Sequence, residues 1–514
     1  MTRPLLSTTA LAVLMPAVAL AEVTPDDVWA NLQAATRAFG GTMTADTSRD
    51  GNVLTAANMS MVFNLPLGVG RITADVGTMT LADNGDGTVA LGGPMTQEMV
   101  VALEITGEGG GTVTMATSLA DYVTTASGDP GNVTYDYTIG RYGFEFTDLT
   151  LTGGLAVEAE DFTVEGTFDM RDLSGSYTIT EGELLTLAST GTVGSGDFDM
   201  SYSTASDSGS ISVSQTATMG AMQAEGSVAL PANGTSVMQF AQAFRAGLAI
   251  SYVFSSEGQS SEQETLLDGE LFSSQSDAIG ASDGQVRLDA DGFAVEMRAD
   301  SYDFEMLQPL MMPVPLRLAM DRLEGAFALP FLQSDDPQDV VLRLGIDGLT
   351  VDPELWAMID PGAQLPRDPA SVLLDVTGQV KVLFDLVDPI ALGELDQSGA
   401  MPGELLSLDL NSLSARAVGA GADASGAFTF DNTDLVSFDG IPAPDGRADI
   451  VLTGVNGLLD RLLSMGLLSQ DDMMGARMVL GGFFRPGDAA DELVTEIEID
   501  GAAGTISAGG QRIK

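Results

Sequence analysis

Carboxylates are the only abundant chemistry-bearing side chains in this sequence. It has 73 Asp plus Glu against 21 Lys plus Arg, and neither His nor Cys among its 514 residues. Without His there is no Ser-His-Asp triad, no imidazole base and no ordinary zinc site. Without Cys there is no disulfide framework, no iron–sulfur cluster and no thiol nucleophile. Paired carboxylates remain, since a glycoside hydrolase needs only two facing across a cleft. The spacing singles out no such pair, and only Trp29 and Trp356 offer strong sugar platforms.

Short motifs fare no better. Gly280-Ala-Ser-Asp-Gly284 spells G-x-S-x-G, but a nucleophile elbow needs a strand before it, a helix after it and a His base. It reads as a Gly-rich turn. Gly107-Glu-Gly-Gly-Gly111 lacks dinucleotide spacing and reads as a loop. The two lysines, Lys381 and Lys514, make neither a P-loop nor a Ser-x-x-Lys dyad. Asp83-Asn-Gly-Asp-Gly87 resembles a calcium loop, yet Gly85 replaces the third-position ligand of an EF-hand and no Glu closes it. A hairpin turn is the reading there and, more weakly, at Asp289-Ala-Asp-Gly292. Glu158, Glu160, Asp161 and Glu165 read as a solvated strand face and turn. The sequence predicts no enzyme, no catalytic residue, no cofactor and no metal site.

One apolar segment stands apart. Leu307 to Met320 carries a single charge, Arg317, and three prolines, Pro309, Pro313 and Pro315, that forbid a regular helix. The plain reading is an irregular crossing through the core. The functional reading is a flexible Met-lined surface for an apolar ligand or a membrane edge, because Met adapts to varied shapes. On that reading Leu310, Met311, Met312, Val314 and Leu316 are the candidate ligand-binding residues.

The elements that would position them are mainly strands. Residues 1–21 combine Arg3, an apolar run and Ala19-Leu20-Ala21, the pattern of a signal peptide cleaved after Ala21. Thr24 then suits an N-cap, Pro25 the first helical position, and Asp26 and Asp27 the first turn. Val28, Leu32, Ala35 and Phe39 share a face, and Gly40-Gly41 ends the helix, which is expected to lie across one end of a sheet. Beyond it the apolar period falls to two, as in Tyr135–Ile139, Phe144–Leu151, Thr163–Met170 and Phe293–Met297. Asp-Gly pairs at Asp50, Asp86, Asp268, Asp283, Asp291, Asp347, Asp439, Asp445 and Asp500 predict hairpin turns. The fold class is therefore mainly β: long, antiparallel, hairpin-rich curved sheets with a few amphipathic covering helices.

Helices are predicted near 236–250, at Pro353–Ile359 and over 455–480, where Ser469 to Asp472 resembles a capping box. The Ser-, Glu- and Gln-rich stretch 255–276 reads as a loop or linker, with strands resuming at Val286. With 231–236 it suggests two β-rich halves, 22–235 and 236–514. No stretch beyond the signal reaches ~18 apolar residues, so no transmembrane span is expected in the mature chain. A net charge of −52 repels nucleic acid, which needs clustered Lys or Arg. Export without an anchor points to a bacterial periplasm.

Thr24-Pro-Asp-Asp-Val-Trp29, Phe483-Phe-Arg-Pro-Gly487, Glu496-Ile-Glu-Ile-Asp500 and Gly510-Gln-Arg-Ile-Lys514 together resemble an uncharacterised alphaproteobacterial family, domain of unknown function 2125. The resemblance covers the mature chain, and its motifs are structural, so it implies no catalytic residue. The build is also similar, at the level of fold, to AsmA-like β-rich envelope proteins, which implies lipid traffic or outer-membrane homeostasis. The expected function is non-enzymatic binding of a lipid or other apolar envelope component on a curved sheet. The alternative is an acidic structural or interaction protein of the cell envelope, with an envelope protein as partner. The sequence leaves the oligomeric state open.

Overall fold

The computed structural model describes residues 22–65, 68–154, 162–206, 209–232, 237 and 239–514. The signal-peptide reading of 1–21 and the carboxylates Glu158, Glu160 and Asp161 lie outside them. The chain is 64% strand and 13% helix, and one antiparallel sheet curves in a ring. Among the described residues that sheet has 29 strands.

The first helix, Pro25–Ala38, starts where its cap residues require. The Thr24 side chain accepts from the Asp27 backbone N–H, and the Asp27 carboxylate accepts from the Thr24 N–H, which satisfies two otherwise orphaned donors. Val28, Ala34, Ala35 and Ala38 are buried against the sheet. They share one cluster with Leu54, Leu81, Val133, Tyr135, Ile179 and Leu230 from successive strands. Residues from so many neighbouring strands meet one helix only because the sheet rolls around it. A second helix, Phe240–Arg245, closes the same end, with Phe244 against Phe331. It is shorter than the 236–250 reading, because Ala249 already begins a strand.

Two other helices match their sequence signals, Pro353–Ile359 and the Ser469-capped Gln470–Phe483. The helix Val455–Ser464 precedes the latter. The helix Pro389–Ser398 went unanticipated, although Asp388-Pro389 is a cap followed by a first-turn proline.

The 255–276 linker reading is corrected. Gln259–Leu267 and Glu270–Ile279 are full strands. The first pairs with Gly209–Met219 and the second with Tyr302–Gln308. Sheet hydrogen bonding therefore crosses the 235/236 boundary without interruption. Gln215, Gln263 and Gln275 lie opposite one another on three adjacent strands. Both faces are polar there, so no period of two was visible.

A crease runs across the sheet. Phe162–Thr180 pairs on one side with two end-to-end strands, Leu184–Val193 and Ser195–Ser206, separated by Gly194. The same break recurs at Gly220-Ala221, Glu257-Gly258, Gly280-Ala281, Asp300-Ser301 and Asp321. Neighbouring breaks touch: the Gly220 N–H donates to the Gly258 carbonyl, the Gly280 N–H to Ser301 and the Asp321 N–H to Asp347. In the longer strands the line passes through Asn58, Asp121 and Asp172, all at φ between 52 and 55°. Pairing register passes through the line unshifted on both sides of Phe162–Thr180, so neighbouring strands bend together there, and a shift of register accompanies the line only at Asn58. Apolar residues change parity there, for example from Leu187 to Phe198, which keeps them on the same side of the sheet. The G-x-S-x-G motif belongs to this crease and is no turn. Asp283, Asp347 and Asp445 likewise place their Asp-Gly pairs inside strands, while Asp268-Gly269 forms a two-residue hairpin with both φ positive.

Candidate apolar binding face

Register extends one apolar row across the sheet on the side that faces helix Pro25–Ala38. Leu187 lies opposite Val228, Val228 opposite Ile250, and Ile250 opposite Leu288. Leu288 continues to Phe293, Phe293 to Leu329, and Phe327 to Leu342. Leu344 then faces Leu374, and Leu374 faces Leu413. The intervening residues, such as Gln285, Arg287, Glu324, Arg343 and Asp375, point to the opposite face.

The row begins buried and ends open. Under the helices Leu54, Leu81 and Ile179 are shielded. From strand Gly292–Ala299 onward the face opens, and Met297, Phe327, Leu329, Leu342, Leu344 and Val372 are 37 to 53% exposed. These six fall on four adjacent strands and form one patch. Soluble surfaces rarely leave contiguous apolar patches without a use.

The sheltered end is held by polar groups. Asn31 is fully buried beneath the helix; its amide donates to Glu181 (2.9 Å), and the Tyr135 hydroxyl donates to it (3.0 Å). Tyr135 stacks on Tyr177 with ring centroids 4.6 Å apart. Burial pushes both phenols above their ordinary range, Tyr177 up to about 12. The neutral phenols are favoured in the fold, so their stabilisation is complete below pH ~10 and is lost as pH rises toward 12. Ultraviolet tyrosinate titration should show Tyr135 and Tyr177 ionising late, together with alkaline unfolding. Eight phenols titrating together near 10 would contradict this. Across the ring, Arg245 on the second helix pairs with Asp385, which holds that carboxyl below the usual range.

The sequence-predicted segment lies elsewhere. Leu310 and Met311 form a hairpin tip, 83 and 77% exposed. Met312, Val314 and Leu316 belong to strand Met312–Met320, with Leu316 opposite Met306. The crossing is a strand at the sheet's edge whose pairing stays irregular between Leu316 and Met312, where prolines are tolerated. The open patch was missed because half-exposed and buried leucines have the same period.

The other candidates are structural. The Asp83 carboxylate accepts from the Gly85 N–H and that of Asp86 from Thr88, closing the predicted turn on itself. The Gly107–Gly111 loop reading is corrected in part, since Gly109–Asp129 is strand. Among the described residues no group of three potential ligands could hold a metal ion, and no helix is long and apolar enough to cross a membrane. No family model matches the chain, and no curated protein matches it.

Proposed function

We propose that this is an exported, non-enzymatic periplasmic protein that holds a lipid, or a similar apolar envelope component, on the inner face of its curved sheet. The observation that carries the reading is the contiguous patch from Met297 to Val372, left half-exposed on the side that elsewhere packs as core. Covering a half-exposed Leu or Phe contributes ~1 kcal/mol, so an acyl chain lying over six such residues binds without a polar motif. That accounts for a sequence poor in catalytic residues. Membership in domain of unknown function 2125 is part of the proposal and rests on the terminal motifs.

The test is mass spectrometry of solvent extracts from protein purified without detergent, alongside titration with a fluorescent fatty acid. Lipid at near-stoichiometric amounts is expected. Phe327→Asp with Leu344→Asp should weaken the fatty acid at least ~10-fold while circular dichroism stays unchanged, because both positions are already half-exposed. Protein that carries no lipid and ignores the probe would sink the reading and leave an acidic interaction protein of the envelope.

A further inference from the structure

Past the crease, register sets three rows side by side on the apolar side of the sheet. In the middle row Phe144, Phe168, Phe198 and Ala217 lie opposite one another in turn, followed by Ser261 and Asp277, then Phe304 and Leu318. The row toward the hairpin tips runs from Phe146 through Gly166 and Met200 to Gln215, Gln263 and Gln275, then Met306 and Leu316. The row toward the crease runs from Tyr142 and Met170 through Gly196, Met219 and Gln259 to Ile279, Tyr302 and Met320. In all three, the polar residues fall on the same strands, Gly209–Met219, Gln259–Leu267 and Glu270–Ile279, with apolar residues to either side. They form a polar island on an apolar face.

A cavity of about 330 Å³ sits on this island, lined by Gln215, Gln259, Ser261 and Asp277 together with Phe168, Phe198 and Met219. Ser261 donates to Asp277 (2.7 Å). Among the described residues the side-chain amides of Gln215 and Gln259 have no hydrogen-bond partner. Water serves them while the face is open, but an acyl chain laid along it shuts that water out, and an unpaired amide is costly in apolar surroundings. Whatever covers the island must therefore bring hydrogen-bonding groups of its own. No Lys or Arg lines the cavity, so an anionic group would face Asp277 without a cation. Hydroxyls suit it, since each donates to an amide oxygen or the carboxylate and accepts from an amide N–H. At ~30 Å³ per water the space equals about eleven waters, enough for one sugar ring.

We infer that this cavity receives the uncharged, hydroxyl-rich head of an amphiphile whose chain lies along the apolar face. The inference rests on the lipid reading above. Asp277 lies opposite Phe304, and the run from Phe304 back to Met297 in the open patch spans ~23 Å at ~3.3 Å per residue. Ile279, Tyr302 and Met320 line the way on the same face. One leaflet of a ~30 Å hydrocarbon core is ~15 Å deep, so an acyl chain covers most of that distance.

The test is calorimetric titration with dodecyl glucoside, dodecanol, dodecylamine and dodecanoate, each below its micelle concentration. The glucoside is expected to bind ~10-fold tighter than the alcohol, and tighter than the amine or the carboxylate. Gln215→Leu with Gln259→Leu should erase that advantage without weakening the alcohol, because neither amide has a partner to lose. Thr216→Leu with Gln223→Leu, two exposed positions on the opposite face, should leave it in place. Equal binding of glucoside and alcohol would overturn the cavity's role while the apolar face stands. So would tighter binding of the amine or carboxylate than of the glucoside, an advantage that survives Gln215→Leu with Gln259→Leu, or an equal loss in the opposite-face pair. Failure of all four probes to bind would overturn the cavity and the lipid reading together.

Discussion

Gly258→Ala should destabilise the protein by about 2–4 kcal/mol, a large effect for one methyl group. Gly258 sits in the crease at φ 135°, a conformation that L side chains rarely adopt. A Cβ there would lie 2.8 Å from the Ile279 carbonyl oxygen and 3.4 Å from the Gly280 carbonyl carbon, both backbone atoms. Backbone cannot swing aside as a long side chain does, so strain of ~1–3 kcal/mol adds to the displacement of a paired strand. Gly393 gives the contrast. It lies inside helix Pro389–Ser398 with nothing within 4 Å of an added Cβ, so Gly393→Ala should stabilise by ~0.5–1 kcal/mol. Urea unfolding of both variants measures the difference. Equal, small effects would mean that the crease tolerates side chains and is not tightly packed.

Asn31→Ala is expected to cost about 3 kcal/mol and to loosen the helix end of the ring first. The substitution removes the donor to Glu181 and the acceptor of the Tyr135 hydroxyl in one step. Each buried polar group left without a partner costs ~1–3 kcal/mol. Tyr135→Phe should cost less, since it strands only the Asn31 oxygen. Asn31→Leu combined with Tyr135→Phe should cost less than the sum of the single changes, because the pair is removed together. Hydrogen exchange should locate the loss in Pro25–Ala38 and the adjoining ends of Gly109–Asp129 and Asn132–Gly153. Strictly additive costs, or protection lost evenly over the sheet, would show that the three groups do not act as a unit.

Several features were decided within a few residues and so were legible in the chain itself. The capping boxes Thr24/Asp27 and Ser469/Asp472 bond residues three apart, and both helices begin where those boxes place them. Alternation in segments such as Phe144–Leu151 was enough to identify strands, because an antiparallel sheet with one apolar side imposes a period of two. The same two signals put the fold class within reach. What they missed depends on partners far along the chain. Gln259–Leu267 has no apolar period, and it is a strand because Gly209–Met219 and Glu270–Ile279 supply its hydrogen bonds. Gly194 and Asp172 are unremarkable in sequence. They become parts of one crease only when register sets them side by side, with an added Cβ on Gly194 lying 2.9 Å from that of Asp172. Exposure is likewise a tertiary property. Leu81 and Leu344 have the same chemistry and the same alternation, but one lies in the core cluster with the first helix and the other is half-exposed outside that cluster. Local bonds are written in neighbouring residues, whereas a sheet's adjacency and its uncovered side exist only once distant strands have paired.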